Sequence, residues 1–345
     1  MTVKTLPDLG WSDHFARQIE EADAHLPPAR VAEIHRDRLV ALTPDGMFDL
    51  HPREASGAYA VGDWILSDGV SALRRLDPVT DLTRRAAGPG VAAQRIAANI
   101  DTIAIVTSCN DDFNVARLER YLALVSSAGC LPLVVLTKSD MADTPHDYLR
   151  QAERLSPLVT ALTVNAKDPE EANRLAPWCS KNQTLALIGS SGVGKTTLRN
   201  ALTGENAETR DIRDDDARGR HTTTFRALRP TLAGGWLIDT PGMRELQLKD
   251  AADGIGAVFD DLEQLATQCR FNNCGHDSEP GCAITAAIKS GQVDRERIAR
   301  WQKLLREDRH NSETLAQSRA RGKAFAKSIK GAQAKGRHKR DIERE

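Results

Sequence analysis

The sequence lacks several features that mark other classes of protein. No apolar run is long enough to cross a membrane, and the first residues, with Asp8, Asp13 and Glu20, do not resemble a signal peptide. The formal net charge is only −1, so overall charge does not indicate a nucleic-acid partner. We therefore expect a cytoplasmic protein without a membrane partner, and its function has to be inferred from local motifs.

Cysteine is sparse, with six residues in a chain of 345. In a chain of cytosolic type, cysteines serve as metal ligands or free thiols more often than as disulfides. Cys109, Cys130 and Cys179 stand alone in or beside apolar segments, so we expect them to be small core or near-surface residues. The other three cysteines are clustered near residue 275, together with a histidine.

A complete phosphate-binding loop, G-x-x-x-x-G-K-[ST], runs from Gly189 to Thr196. The apolar stretch Thr184 to Ile188 predicts a buried strand before it, and Thr197 to Thr203 predicts a helix that Gly204 ends. This order of strand, glycine loop and helix points backbone N–H groups and a positive helix end at phosphate groups. The residues expected to bind phosphate are Gly189, Ser190, Ser191, Gly192, Val193, Gly194, Lys195, Thr196 and Thr197.

A second motif matches the [NT]-K-x-D loop that reads guanine, and its residues are Thr137, Lys138, Ser139 and Asp140. It follows an apolar run, Leu131 to Leu136, that predicts another strand. Guanine presents N1–H and an exocyclic amino group, and one carboxylate such as Asp140 can accept from both. Adenine presents no such pair of donors, so this loop argues against an ATP-using P-loop protein.

Three further segments complete a set of GTPase motifs. Asn165, Ala166 and Lys167 follow a strand-like stretch, Val159 to Val164, and are similar to the S-A-K loop that lines the base. Asp239 to Gly242 matches D-x-x-G after the strand Gly235 to Ile238, and Gly219 to Thr224 lies where a switch threonine belongs. In the usual numbering, the motifs occur in the order fourth, fifth, first, second, third. The sequence therefore predicts a circularly permuted GTPase domain of doubly wound α/β class.

The chain resembles the bacterial ribosome small-subunit-dependent GTPases, a family of circularly permuted GTPases that act late in assembly of the 30S subunit. The resemblance covers nearly the whole chain. Besides the permuted motif order, it rests on Val61–Trp64, Gln94–Asp101, Arg220–Thr223 and the Cys/His cluster. It implies a monomer that binds GTP and GDP, docks on the 30S subunit and its 16S rRNA, and is activated there.

Short alternating runs between Ala29 and Leu82 predict a small N-terminal β-barrel, which the resemblance makes an OB-fold. The expected strands are 30–35, 38–42, 58–61, 64–66 and 71–75, and a helix over 15–22 precedes them. Few aromatic residues occur in this region, so RNA binding and simple packing against the GTPase domain are equally compatible with the residues. The resemblance favours RNA binding.

The cluster Cys269-x4-Cys274-x-His276-x5-Cys282 supplies three thiolates and one imidazole. These four ligands form a complete tetrahedral set for Zn²⁺ and leave no open position, so we expect one structural zinc ion per chain. Helices over 284–290 and 294–308 are predicted to follow, which makes this C-terminal domain mostly α.

The predicted organisation has five parts: an extension (1–28), the OB-fold (29–98), the permuted GTPase domain (99–253), a zinc-binding domain (254–312) and a basic tail (313–345). Nine Lys or Arg residues and no acid lie between Ser318 and Arg340. Such a segment cannot bury a core, and it is either a solubilising tail or an arm that contacts RNA phosphates. The ribosomal partner implied by the resemblance favours the arm.

The motifs also assign roles in GTP hydrolysis. Lys195 should span the β- and γ-phosphate oxygens, and Thr196 should ligate Mg²⁺. Asp239 is the expected indirect partner of Mg²⁺, outside the ion's direct ligands, and Thr223 is the expected switch ligand of the same ion. The N–H of Gly242 should meet the γ-phosphate.

Two residues depart from the common GTPase pattern. Thr137 stands where Asn is more usual, so an amide that reads guanine N7 and braces the phosphate loop is lost, and nucleotide binding is expected to be weak. Met243 follows Gly242 where many GTPases have a water-orienting Gln, so unassisted hydrolysis should be slow. His221 is the candidate for the missing catalytic role, and a loop histidine that only caps or contacts RNA is the alternative.

The main rival to a ribosome-activated GTPase comes from a different class of function: an RNA-binding assembly scaffold in which GTP only sets affinity.

Overall fold

The structure is a computed structural model, and it describes residues 5–85, 93–157, 159–205, 226–239, 248, 250–277 and 279–312. The expectations placed on Arg220, His221, Thr222, Thr223, Thr224, Gly242, Met243 and the basic tail lie outside these described residues. Within them, no helix is both long enough and apolar enough to span a bilayer.

Most strands in the described part of the chain join in one sheet of eleven, with β6 and β7 as a separate hairpin. The strands are β1 (Pro28–Ile34), β2 (Leu39–Thr43), β3 (Gly46–Pro52), β4 (Trp64–Ser67), β5 (Ser71–Arg75), β6 (Asp81–Arg85), β7 (Ala93–Ala98), β8 (Thr102–Ser108), β9 (Leu131–Thr137), β10 (Thr160–Thr163), β11 (Thr184–Gly189), β12 (Ala227–Pro230) and β13 (Trp236–Asp239). The helices are α1 (Asp13–Ala16), α2 (Val115–Ser127), α3 (Pro145–Glu153), α4 (Pro169–Asn173), α5 (Lys195–Thr203), α6 (Ala252–Val258), α7 (Asp260–Ala266), α8 (Ala283–Lys289) and α9 (Arg295–Ser312).

The N-terminal strands close into a five-stranded barrel of OB type in the order β1-β2-β3-β5-β4, because β4 also pairs with β1.

The predicted strand over 58–61 is wrong, and β3 takes its place in the barrel. Tyr59, Ala60 and Val61 are apolar and buried, but the chain turns at Gly62, whose φ of +94° suits glycine. Strand β3 gave little apolar signal because Leu50 is its only fully buried residue. The helix predicted over 15–22 is shortened to the single turn α1.

The GTPase sheet has the order β10-β9-β8-β11-β13-β12, in which all strands except β12 run parallel. Side chains along a strand point alternately to the two faces. In β8, Ile103 and Ile105 pack in the core cluster that contains helix α2, whereas Ala104 and Val106 pack in the cluster that contains α5. The sheet is therefore covered by helices on both faces, which is the doubly wound α/β arrangement.

Arg30 links the barrel to the GTPase sheet. It is almost completely buried, and its guanidinium donates to the Asn99 carbonyl at 3.1 Å and to Thr184 Oγ1 at 2.9 Å, where β11 begins. Burial lowers the pKa of Arg30 to about 10, so the side chain is still a cation at neutral pH. Strand β1 also pairs directly with β12, through Glu33 and Ala227.

Helix α9 holds the C-terminal region on the GTPase domain through ion pairs with α2. Arg300 Nε lies 2.6 Å from a carboxylate oxygen of Glu119, and Arg297 lies 3.6 Å from the other oxygen. Arg120 and Glu307 form a second pair at 2.5 Å. Glu119 is fully buried, and burial raises the pKa of its carboxyl although the two arginines oppose that shift.

Candidate nucleotide site and metal centre

The predicted nucleotide-binding loops leave the same edge of the sheet, since β9, β10, β11 and β13 are parallel and each ends at one of them. The phosphate loop begins at Gly189, the last residue of β11, and Gly194 precedes helix α5. Gly189 has a φ of +141°, and a Cβ there would lie 2.1 Å from the carbonyl oxygen of Val106. Only glycine fits at this position, because the loop turns directly against the neighbouring strand.

Thr137 is the first residue of the [NT]-K-x-D segment, residues 137–140, called here the guanine loop, and it contacts the phosphate loop. This buried side chain lies at the end of β9, with Oγ1 2.6 Å from the carbonyl oxygen of Val193 and 3.0 Å from that of Thr107. The amide of the more usual Asn is absent, but the hydroxyl supplies a bracing contact of its own. The contact that braces the phosphate loop is therefore kept, and the expectation of weak nucleotide binding rests on the lost contact to guanine N7.

Lys195 on α5 and Tyr121 on α2 each contact the phosphate loop. Lys195 Nζ donates to the carbonyl oxygen of Gly189 at 2.9 Å and also to that of Ser190. Tyr121, buried on α2, shares a hydrogen bond with the Ser190 side chain, while burial raises the pKa of its phenol. Nothing in the sequence marks Tyr121 as part of this site, because a tyrosine in an amphipathic helix is usually a core residue.

The two loops predicted to read the base lie side by side because the backbone N–H of Val164 donates to the carbonyl of Leu136 at 2.9 Å. Lys138 has a φ of +57°, and the exposed Asp140 follows it in a single helical turn. In the neighbouring loop, Asn165 Oδ1 accepts from the N–H of Lys167 at 3.0 Å, and Ala166 is buried. The Asn165 N–H donates to Glu171 at 2.7 Å.

Thr196 and Asp239 offer a hydroxyl and a carboxylate from neighbouring elements, at the start of α5 and the end of β13. Hard oxygen donors of this kind suit Mg²⁺. Arg199, one turn beyond Thr196, donates to Asp239 Oδ2 at 2.6 Å, and both side chains are largely buried. Arg199 belongs to none of the sequence motifs, and nothing in the sequence relates it to Asp239, forty positions away.

The chain that follows the D-x-x-G segment is anchored on the last turns of α9. Asn311 Nδ2 donates to the carbonyl of Leu248 at 2.8 Å, and Asp308 accepts from the N–H of Ala251 at 2.8 Å. Both α9 side chains are buried. The chain downstream of Asp239 is thus joined to the helix that carries the C-terminal region.

Cys269, Cys274, His276 and Cys282 lie together, with their ligand atoms all within 4.8 Å of one another. Cys269 Sγ is 3.9 Å from Cys282 Sγ, and His276 Nδ1 is 3.6 Å and 3.7 Å from these two sulfurs. A tetrahedral zinc ion with Zn–S of about 2.3 Å and Zn–N of about 2.0 Å spaces its ligands by roughly 3.5–3.8 Å. The cluster therefore fits a tetrahedral metal ion.

The other three cysteines lie outside this cluster and are buried, so of the two expected positions, core or near-surface, they occupy the core. Burial raises the pKa of Cys109 to about 11, of Cys130 to about 12 and of Cys179 to about 11. These thiols are protonated at neutral pH, so they are poor ligands and poor nucleophiles.

A parallel sheet with the guanine loop before the phosphate loop in sequence and beside it in space defines a circularly permuted GTPase. Residues 77–249 match the family model described as RsgA GTPase. A "Small ribosomal subunit biogenesis GTPase RsgA" of Mesorhizobium japonicum is 51% identical over 92% of this chain and 93% of its own. A "Small ribosomal subunit biogenesis GTPase RsgA 2" of Vibrio parahaemolyticus is 46% identical over 94% and 92%. The chain belongs to the RsgA GTPase family.

Two solved structures share the fold. YjeQ from Thermotoga maritima superposes with a TM-score of 0.58 at 20% identity, covering 81% of this chain and 97% of its own. YloQ, described as a circularly permuted GTPase, gives a TM-score of 0.59 at 19% identity, covering 86% and 99%.

Proposed function

We propose that this protein binds the small (30S) ribosomal subunit and its 16S rRNA and hydrolyses GTP there during late maturation of the subunit. This activity promotes an assembly checkpoint and the release of assembly factors. The observation that carries this function is the contact of Thr137 with Val193, which holds a guanine loop against a phosphate loop. The relatives named as small ribosomal subunit biogenesis GTPases support the ribosomal partner. We further propose a cytoplasmic monomer.

The phosphate and metal roles follow from the donors at the sheet edge. Lys195 already lies against the phosphate loop, and its ammonium exchanges loop carbonyls for β- and γ-phosphate oxygens when a nucleotide binds. Thr196 and Asp239 would hold Mg²⁺, and the ion would supply positive charge that neutralises the phosphates. Arg199 keeps the Asp239 carboxylate in place through a hydrogen bond to Oδ2.

Base selection is assigned to Asp140, and we expect Asp140→Asn to weaken GTP binding roughly tenfold to a hundredfold. A hydrogen bond to a charged group contributes about 1.5–3 kcal/mol, and the carboxylate accepts from guanine N1–H and N2–H₂. Xanthine presents one acceptor and one donor where guanine presents two donors, and a carboxamide can pair with both. Binding of xanthosine triphosphate to the variant should therefore improve. Equilibrium titration with fluorescent GDP, competed by GTP, ATP or xanthosine triphosphate, measures both changes.

Asp143→Asn is the matched control, because Asp143 is an exposed carboxylate three residues beyond Asp140. This variant should bind all three nucleotides as the wild type does. Equal competition by ATP and GTP in the wild type would refute the assignment of a guanine site.

The Cys/His cluster is proposed to hold one structural zinc ion per chain, and its removal should unfold the 269–282 loop. The binding energy of a structural zinc ion is also folding energy, because the preformed site does not exist in the unfolded loop. Purified protein should contain close to one zinc by elemental analysis, and Cys274→Ser should lose most of it. Cys109→Ser, at a buried cysteine outside the cluster, should keep the metal.

Cys274→Ser should also lower association with 30S subunits more than it lowers GTP binding, since the cluster and the phosphate loop belong to different parts of the chain. A wild-type protein that holds no zinc and yet keeps a protease-resistant 269–282 loop would contradict this metal site.

A further inference from the structure

The metal-binding loop presents an aromatic side chain to solvent. Phe271 is 45% exposed, and the Arg270 guanidinium carbon lies 5.5 Å from the centroid of its ring. Asn272 and Asn273, which complete the stretch between two cysteines of the cluster, are also exposed. A cation, an aromatic ring and two amides therefore stand next to one another on one surface.

The cation–aromatic pair is held in place by the loop itself. The backbone N–H of Arg270 donates to the carbonyl of Gly281 at 3.1 Å. The Arg270 side chain runs against Gly281, where an added Cβ would lie 3.0 Å from Arg270 Cβ. Cys269 and Cys282 adjoin these two residues, so closing the metal site also fixes the position of the pair.

The chemistry of this surface matches a nucleotide in an unpaired RNA strand. A base stacks on an exposed aromatic ring, and stacking on an aromatic side chain contributes about 1–3 kcal/mol per base. A guanidinium contacts the phosphate, and amides hydrogen-bond to base edges. An apolar peptide side chain would need a pocket, whereas the neighbours of Phe271 in the loop are exposed polar residues.

We propose that Phe271 and Arg270 form a stacking platform for one unpaired base of RNA. This inference rests on the proposed function, in that the RNA is that of the small ribosomal subunit. Phe271 stacks on the base, Arg270 binds the adjoining phosphate, and the metal site keeps the two side chains aligned.

The platform is tested with the full chain and two probes, purified 30S subunits and a single-stranded RNA decamer that contains 2-aminopurine. Phe271→Ala should weaken binding to both probes about tenfold, and Phe271→Trp should restore it. The 2-aminopurine fluorescence should be quenched by the wild type and by Phe271→Trp, because quenching reports stacking. Arg270→Met should weaken binding and make it less dependent on salt.

Zinc content and GDP affinity should be unchanged in the three variants, which shows that the fold is intact. Wild-type binding by Phe271→Ala, or full restoration by Phe271→Leu, would overturn the platform, since leucine is apolar but cannot stack. Tight, Phe271-dependent binding of the decamer without any binding of 30S subunits would support the platform and refute the proposed ribosomal partner.

Discussion

Mature 30S subunits should raise GTP turnover about a thousandfold over the free protein, and His221→Ala should abolish most of that gain. Met243 occupies the position at which many GTPases have a water-orienting Gln, and a thioether cannot orient water. A thousandfold acceleration corresponds to about 4 kcal/mol of barrier, which positioning and electrostatics can supply. Phosphate release with and without saturating 30S subunits measures the effect.

The variants separate catalysis from binding. His221→Ala should leave GTP affinity nearly unchanged, whereas Lys195→Ala should lose nucleotide binding itself. His146→Ala, on α3, is the control for loss of a histidine. Full stimulated turnover by His221→Ala would show that this residue is structural or a docking contact.

Absence of stimulation at low salt, where contacts of basic residues with RNA phosphates are strongest, would exclude ribosome activation. If nucleotides nevertheless changed the affinity for 30S subunits, the rival function would hold. The protein would then be an RNA-binding scaffold in which GTP only sets affinity.

The parts of the fold that the sequence predicted are those specified by local pattern. Helix α2 is specified in this way, because its apolar residues repeat at helical spacing and the Asn114 side chain caps its first turn. Strands β9 and β11 are continuous apolar runs between turn signals, as buried parallel strands are. The Cys/His cluster was predicted because its four residues lie in one short loop.

The parts that the sequence did not predict depend on partners far away in the chain. Strand β3 is mostly exposed, and its pairing with β2 and β5 is fixed by barrel closure rather than by its own apolar pattern. Glu119 is a charged residue in an amphipathic helix, where solvent exposure is the usual outcome. It is buried because α9 places Arg300, 181 positions later, against it. No local pattern contains that information.

Arg300 and the buried Glu119 form an ion pair between α9 and α2. We expect Arg300→Ala to lower the free energy of unfolding by about 3–4 kcal/mol at pH 7, since removing one partner leaves a buried charge uncompensated. Arg297, at 3.6 Å, replaces only part of the lost interaction. Urea denaturation measures the loss, and hydrogen exchange locates it in α9. Arg120→Ala, which breaks the more exposed pair with Glu307, should cost only about 1 kcal/mol.

The pH dependence tests whether the Glu119 charge is the cause. Burial already raises the pKa of Glu119 above its unfolded value, and loss of Arg300 should raise it further. A carboxyl with a raised folded pKa favours the folded state at low pH and loses that advantage as pH rises through the folded pKa. The deficit of Arg300→Ala should therefore be smaller at pH 5 than at pH 7. Glu119→Gln added to Arg300→Ala should restore much of the stability, because a neutral amide needs no cation. A deficit that is independent of pH and persists in the double variant would show that Arg300 stabilises the helix pair by packing alone.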